Sequence, residues 1–474
     1  MASTHAVVIG GSIAGMCAAQ VLRGTYDRVT LVERDDLPGT PGARRGVPQA
    51  RHVHALLVRG RREIEAIFPG FDEAAQRLGA TELDFGTAFL IFRPLGWEPR
   101  GATGLLSIWA SRDVLEAAVR ERMRAIGTVE ILAGVSVTGL DVEREGGRAT
   151  KVRGVTVRQE GGAERTLEAD LVVDAAGRGS KALEWLRALG VSSPEESIVD
   201  SFAGYASLWI RAPPPEVRAR WGGWKGLWID GDPPHGTRGA VLFPIEGDRC
   251  IVTMAGFARD YPPTDEAGFR KALRTLRSPI LAEVTEGCEA LSPVHSSRSM
   301  ANRLRHYDQW EQPLAGFLAI GDSVCAFNPV YGQGMSTSAV CASILARALE
   351  EHGADPIRLP CAFFRAQASF LAEPWTMATG ADFLYPTTTG KRPRIGHVVH
   401  PYLVTLMNAS LVDPTVRKCL IEVFNLIRPA SSLFHPRIAG RALLHAGKRA
   451  LRARLSSKAA KETMDNRPPV VAGA

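Results

Sequence analysis

The stretch HAVVIGGSIAGMCAAQVL, His5–Leu22, decides the fold of this 474-residue chain. A short apolar run with β-branched residues, HAVVIG, leads into a glycine turn. A small-residue helix is predicted from Ile13 to about Arg23, Gly24 stops it, and RVTLVER from Arg28 reads as a second strand. The pattern is a β-α-β unit of about thirty residues, the opening of a doubly wound parallel sheet.

The turn itself departs from the usual G-x-G-x-x-G spacing of dinucleotide-binding loops, because Gly10, Ser12 and Gly15 hold the three positions with Gly11, Ile13 and Ala14 between them. The physics of the motif survives the change. A helix N-terminus offers unpaired backbone N–H groups and a positive dipole end to a pyrophosphate. Gly10 permits the tight turn, Gly15 permits close helix–strand packing, and serine is nearly the smallest alternative in the middle, with a hydroxyl able to bond a phosphate oxygen. Glu33 ends the second strand about twenty residues on, where an acidic residue accepts from a ribose.

The logic recurs near LAIGDSVCAFNPVYGQGMSTSAVCASIL. Asp322 ends a buried strand, where its carboxylate can accept from sugar-like hydroxyls, and the YGQGMS turn opens a helix predicted from about Gly334 to Glu350. Two such loops far apart in sequence suggest one long ligand reached from both ends.

Between them, PGTPGARRGVPQAR (Pro38–Arg51) reads as a loop, followed by an amphipathic helix roughly from His52 to Phe68. Ser111 is a plausible N-cap for a helix whose apolar residues are Val114, Leu115, Ala118 and Val119. Short strands follow to Gly177, and from about Asp200 to Phe257 longer, aromatic-rich strands suggest a separate antiparallel sheet with one face available to an apolar ligand. Beyond Pro356 the pattern is mostly helical.

Composition is that of an ordinary globular chain, with 45% hydrophobic and 23% charged residues. The +7 net charge concentrates near the end and comes without a nucleic-acid motif, so nucleic acid is excluded as a partner. PRIAGRALLHAGKRALRARLSSKAAK reads as a basic amphipathic helix, by default a solvated surface helix, with peripheral contact to an anionic membrane as the other reading. Seven scattered cysteines without a C-x-x-C pair argue for a reducing compartment. With neither a signal-like N-terminus nor a membrane-length apolar run, the expected location is the cytoplasm. His52 with His54, and His397 with His400, lack a third ligand at metal-binding spacing, so no metal is expected. For His52 and His54 the reading is structural, or contact behind a cofactor loop.

Taken together, these motifs resemble the FAD-dependent monooxygenases of the para-hydroxybenzoate hydroxylase type. RRGVPQARHVHALL, DLVVDAAGRGS, SRSMANRLRHYD and NPVYGQGMS resemble, more narrowly, the epoxidases of polyether antibiotic biosynthesis, relatives of squalene epoxidase. The resemblance implies an α/β fold: a Rossmann-like FAD-binding domain from residues 1–80, 111–195 and 301–355, an antiparallel-sheet substrate domain from 81–110 and 196–300, and a helical region over 356–474. It implies FAD pyrophosphate on Gly10–Gly15 and ribityl and phosphate contacts at Asp322. The flavin ring edge falls at Gly332, Gln333, Gly334 and Met335, with Asn328 and Pro329 alongside the ring. Arg112 matches a family arginine that contacts the cofactor, and Arg44, Arg45, Gly46 and Val47 match the loop against which the ring moves. Arg34, Ser136, Asp174 and Gly177 complete the implied cofactor set.

The implied chemistry is epoxidation of an apolar olefin, a polyketide or terpenoid intermediate of secondary metabolism, by a flavin C4a-hydroperoxide formed with O₂. The cofactor does the bond-making, so no catalytic side chain is expected. Phe89, Phe92, Trp109, Trp209, Trp228 and Phe243 are the candidate pocket residues, each of which could equally be plain core. Where the aromatic hydroxylases carry an Asp-Gly pair touching FAD and the nicotinamide, this chain has Ala176-Gly177. Electrons from NADPH or NADH therefore arrive either directly or through a separate flavin reductase. The rival readings are an aromatic-ring hydroxylase, a reductase of isoprenoid double bonds and a non-enzymatic flavoprotein. A halogenase is disfavoured because no lysine precedes Lys151 and GGWKGLWIDG does not match the halogenase W-x-W-x-I-P motif.

Overall fold

The computed structural model describes residues 3–298, 300–392 and 396–455, with backbone alone at 396–400 and 449–455. The chain forms two compact units, each assembled from separated segments: residues 1–80, 111–199 and 301–379 make the first, and 81–110, 200–300 and 380–474 the second.

The first unit is built on a five-stranded parallel sheet in the order Phe317–Ala319, Leu171–Asp174, His5–Ile9, Arg28–Glu33, Val129–Ala133. His5–Ile9 lies at its centre, which is why its side chains are buried without alternation. Helices Ile13–Leu22 and Gly334–His352 pack against each other. A three-stranded antiparallel ladder, Val135–Glu145, Arg148–Gln159 and Glu164–Glu168, precedes the return to the parallel sheet at Leu171. Glu196–Val199 pairs with Asn302–Arg305 inside this unit.

One helix begins later than the sequence suggests. Between Arg51 and Leu57 the chain is extended or irregular, and the helix expected from His52 runs over Val58–Ile67. The Leu57 amide donates to Ser336 Oγ at 3.0 Å, and a Cβ on Gly60 would fall 2.4 Å from that same oxygen. Docking onto helix Gly334–His352 thus takes the backbone donor that would otherwise open an earlier turn. Ser111 caps its helix as expected, accepting from the Val114 amide at 3.4 Å, and the helix runs Arg112–Ile126.

The second unit carries a seven-stranded sheet ordered His295–Ser297, Gly204–Arg211, Arg249–Gly256, Arg238–Ile245, Gly226–Ile229, Phe89–Arg93, Gly96–Trp97. All pairings are antiparallel except Gly226–Ile229 with Phe89–Arg93. Strand side chains alternate between faces. Leu90, Phe92, Leu208, Ile210, Leu227, Ile229 and Leu242 share one core with Phe269, Leu273, Ile280 and Leu281 of two short helices. Helices Gly396–Ser410, Pro414–Phe424 and Pro436–Leu455 form a further cluster in this unit. Among the described residues no helix is long and apolar enough to cross a membrane.

Candidate functional site

In the first unit three loops meet at the C-terminal ends of the parallel strands, the usual ligand position in open α/β sheets. Gly10 adopts φ +107°, and a Cβ there would lie 2.5 Å from the Ala175 carbonyl oxygen. A Cβ on Gly15 would fall 1.8 Å from the Gly10 oxygen, so only glycine lets the helix start this close to the turn. At Gly321, φ is +68° and a Cβ would meet that of Ala14 at 2.7 Å. The first loop, the Ala175–Gly177 turn and the Gly321–Asp322 turn are therefore in van der Waals contact.

Ser12 is the N-cap residue of the first helix, but its side chain caps nothing. Its hydroxyl donates to Glu116 and accepts from Arg112 Nη2 at 2.9 Å. The sequence leaves that hydroxyl able to bond a phosphate oxygen; in the structure it joins an ionic cluster with Glu116 and Arg112. Arg112 Nε and Nη2 reach Glu116 Oε1 at 3.0 and 2.8 Å, and Arg44 Nη2 reaches Glu116 Oε2 at 3.0 Å. Arg44 also stands 3.5 Å from Glu33, and Arg120 stands 3.6 Å from Glu116. Burial disfavours the charged form of Glu116, yet Arg112, Arg44 and the bonds from Ser12 and Arg112 outweigh it and hold its pKa below the ordinary value.

Glu33 ends the second strand and is buried. Its Oε2 accepts from the Gly11 amide at 2.6 Å and its Oε1 from the Asp35 amide at 3.0 Å, so it fixes the first loop and keeps lone pairs for a sugar. Arg44 and Val47 are buried, whereas Arg34 and Arg45 are exposed. The Gly46 amide donates to Asp35 at 2.6 Å, tying that loop to the end of the second strand. Ser136 is exposed on the antiparallel ladder opposite Arg158, while its neighbour Val135 is buried.

Asp174 ties loops together. Fully buried, it accepts from the Ala176 amide at 3.0 Å, Ser180 Oγ at 2.5 Å and Ser323 Oγ at 3.2 Å, while the Gly177 amide donates to Ser323 Oγ at 2.9 Å. Burial raises its pKa against those bonds and Arg305. Asp322 differs, since no described protein group donates to its carboxylate. Burial raises its pKa, and Arg178, Arg112 and Arg303 pull the other way. The helix opening at Gly334 begins beside it, with a Gly334 Cβ position 3.5 Å from Asp322 Oδ1.

Around that helix start, Asn328 is buried, its amide donating to Asn302 Oδ1 at 2.7 Å and its own Oδ1 accepting from Val330 at 3.2 Å. Pro329 opens the short turn that Gly332 closes at φ +64°, and Gln333 and Met335 are buried. Arg178 holds this segment through the Ala301 and Phe327 carbonyls at 2.7 and 2.6 Å. His54 Nδ1 lies 3.0 Å from the His52 carbonyl, and burial together with Arg112 pushes its pKa down to about 3. It is a neutral imidazole near the ionic cluster. The side chains of His397 and His400 lie outside the described residues.

Glu116 and Arg120 were missed by sequence reasoning. The signal was the i, i+4, i+8 spacing of Arg112, Glu116 and Arg120, a charged stripe beside the apolar one.

In the second unit Phe89, Trp109 and Phe243 come together. Trp109 stacks on Phe243 with centroids 4.6 Å apart and planes 3° from parallel, and Phe89 lies 4.4 Å from Trp109. The pleat turns Phe92 to the opposite face, into the helix-covered core beside Trp97. Trp228 packs near Phe424 under Arg93, and Trp209 lies under Arg249, so neither joins that ring group.

The first unit's residues fit a dinucleotide with an anionic pyrophosphate. The buried guanidiniums of Arg44 and Arg120 and the partly buried one of Arg112 outnumber the carboxylates of Glu33 and Glu116, and among the described residues Nη1 and Nη2 of Arg120 have no hydrogen-bond acceptor. The glycines leave a cradle that a Cβ would fill, and Asp322 is ready to accept from hydroxyls.

Residues 6–183 match the family model described as FAD dependent oxidoreductase. The chain is 32% identical over 460 residues to Protein Rv3254 of Mycobacterium tuberculosis, covering 93% of each chain. Its fold is similar to that of the flavin-dependent brominase Bmp2, with TM-score 0.66 at 16% identity over 94% of this chain and all of that one. It is also similar to PqsL, a probable FAD-dependent monooxygenase from Pseudomonas aeruginosa, with TM-score 0.56 at 19% identity over 80% of this chain and 98% of that one. Likeness at such identity shows the fold alone. The relative that matches nearly end to end fixes the membership: the chain belongs to the family of Protein Rv3254, and its first part matches the FAD dependent oxidoreductase model.

Proposed function

We propose that the chain is an FAD-dependent monooxygenase that epoxidises carbon–carbon double bonds of a polyketide or terpenoid intermediate. The observation that carries the reading is the buried ring group of Phe89, Trp109 and Phe243, an apolar wall of the kind a hydrocarbon olefin requires. Bound FAD supplies the activation of O₂ and the transfer of one oxygen atom.

The chain's own residues bind, orient and stabilise. The Gly10–Gly15 turn and its helix N-terminus take the pyrophosphate, with Arg44 and Arg112 as counter-charge. Glu33 accepts from the ribose, and Asp322 from the ribityl hydroxyls. The amides opening helix Gly334–His352 would favour negative charge on a bound flavin ring. Ala176, in place of an aspartate, supports electron delivery by a separate reductase.

An aromatic-ring hydroxylase shares every one of these cofactor contacts and differs in product. Bromination, the activity in the name of one structural neighbour, is disfavoured because no lysine precedes Lys151. The test is oxygen uptake by the purified holoprotein with NADH or NADPH and a flavin reductase. Polyene-dependent uptake above the substrate-free rate is expected, and uptake raised only by phenols would overturn the epoxidase reading.

A further inference from the structure

We propose that the C-terminal helix Pro436–Leu455 is a docking surface for an anionic lipid membrane, lying in the plane of the headgroups. Residues 423–461 contain nine Lys and Arg and no Asp or Glu, while the rest of the chain carries 48 basic against 50 acidic residues. The whole positive surplus of the protein therefore sits in this one segment.

Apolar exposure is concentrated in the same place. Of ten large hydrophobic residues exposed among the described ones, six lie between residues 404 and 444: Val404, Met407, Val412, Phe434, Leu443 and Leu444. On the helix, Ile438 and Ala442 are buried against its neighbours, so the helix already has a core-facing side. Leu443 and Leu444 nevertheless stand 61% and 57% exposed on a second side, and the spacing continues in sequence to Leu451. Exposed Arg437 and Lys448 flank them. Arg441 and His445 are otherwise engaged, since they reach Asp413 at 2.8 and 3.4 Å and hold the helix to the cap of Pro414–Phe424.

A helix of 20 residues spans about 30 Å. Its charges forbid insertion across a bilayer, and no described helix can cross one. An apolar stripe bordered by cations suits the interface, where leucines enter the acyl boundary and Lys and Arg meet anionic headgroups. Solvent-facing leucines are not what a nucleic acid recognises, so lipid is the occupant the surface favours. The inference stands on this helix alone and does not depend on the epoxidase reading.

The test is co-sedimentation of the full chain with vesicles of phosphatidylcholine, alone or with one quarter phosphatidylglycerol. Binding is expected to the anionic vesicles only and to be released by high salt. The double variant Leu443→Ser/Leu444→Ser should lower partitioning at least about tenfold, and Arg437→Gln and Lys448→Gln roughly fivefold each. These side chains are exposed, so an unchanged melting temperature and far-UV circular dichroism spectrum check that the variants fold. Absence of binding to anionic vesicles, equal binding to neutral ones, or binding insensitive to the leucine pair would overturn the proposal. A concentration-dependent dimer dissolved by the leucine variant, without vesicle binding, would overturn it in favour of a second copy of the chain.

Discussion

Ser12, at the centre of the first glycine loop, donates its hydroxyl proton to Glu116, a carboxylate 104 positions later in the chain. That contact explains the serine where a dinucleotide loop usually has glycine. The hydroxyl links the loop to the ion pairs that Glu116 makes with Arg44 and Arg112.

Ser12→Gly should therefore keep FAD bound but lower stability by about 1–3 kcal/mol, the cost of leaving buried polar partners unsatisfied. Ser12→Leu should yield colourless protein. Absorbance of the purified variants near the flavin bands and their urea midpoints check both outcomes, and a yellow Leu variant would mean the loop is misplaced.

Glu116→Gln removes the carboxylate that Arg44, Arg112 and Arg120 share. Breaking a buried ion pair from one side costs about 3–5 kcal/mol. Because the pyrophosphate is itself an anion, adding FAD should raise the melting temperature of Glu116→Gln by more than it raises that of the wild-type apoprotein. Equal increments in the two proteins would contradict a pyrophosphate position beside these arginines.

His54 supplies a pH signature. Its folded-state pKa lies below the unfolded value of 6.5, at about 3, so its contribution to stability is fully present above pH 6.5 and is lost as pH falls toward 3. Glu116 acts in the same direction only below its ordinary value of 4.5, and His5, also lowered, contributes equally to variant and wild type. Stability of His54→Asn should accordingly vary less with pH between 6.5 and 4.5 than that of the wild type. Denaturant melts at a series of pH values decide it; parallel curves would show that His54 is charged in the folded protein.

Gly15→Ala places a Cβ 1.8 Å from the Gly10 oxygen, whereas a Cβ on Gly24 meets nothing closer than 3.8 Å. Loss of bound FAD is expected for the first substitution and retention for Gly24→Ala, measured as flavin released per chain on heat denaturation. Full occupancy in Gly15→Ala would contradict the close packing of helix and turn.

Much of the parallel core was legible because its signals are local. A buried β-branched run, glycines at a turn and an acidic residue at the next strand end lie within His5–Glu33. What escaped depends on contacts distant in sequence. The late start of helix Val58–Ile67 follows from Ser336, and the role of Asp174 as a tie follows from Ser180 and Ser323. Strand parity could have warned against grouping Phe92 with Phe89, because residues three apart on one strand face opposite ways. No local pattern foretold that Trp109 would stack on Phe243.

The central claim is oxygen transfer to an olefin, and mass spectrometry of products formed under ¹⁸O₂ tests it most directly. With FAD, a reducing system and a polyene, the account predicts an oxirane carrying a single ¹⁸O atom. A phenol from an aromatic substrate, a saturated product without ¹⁸O, or no product from any polyene would contradict it.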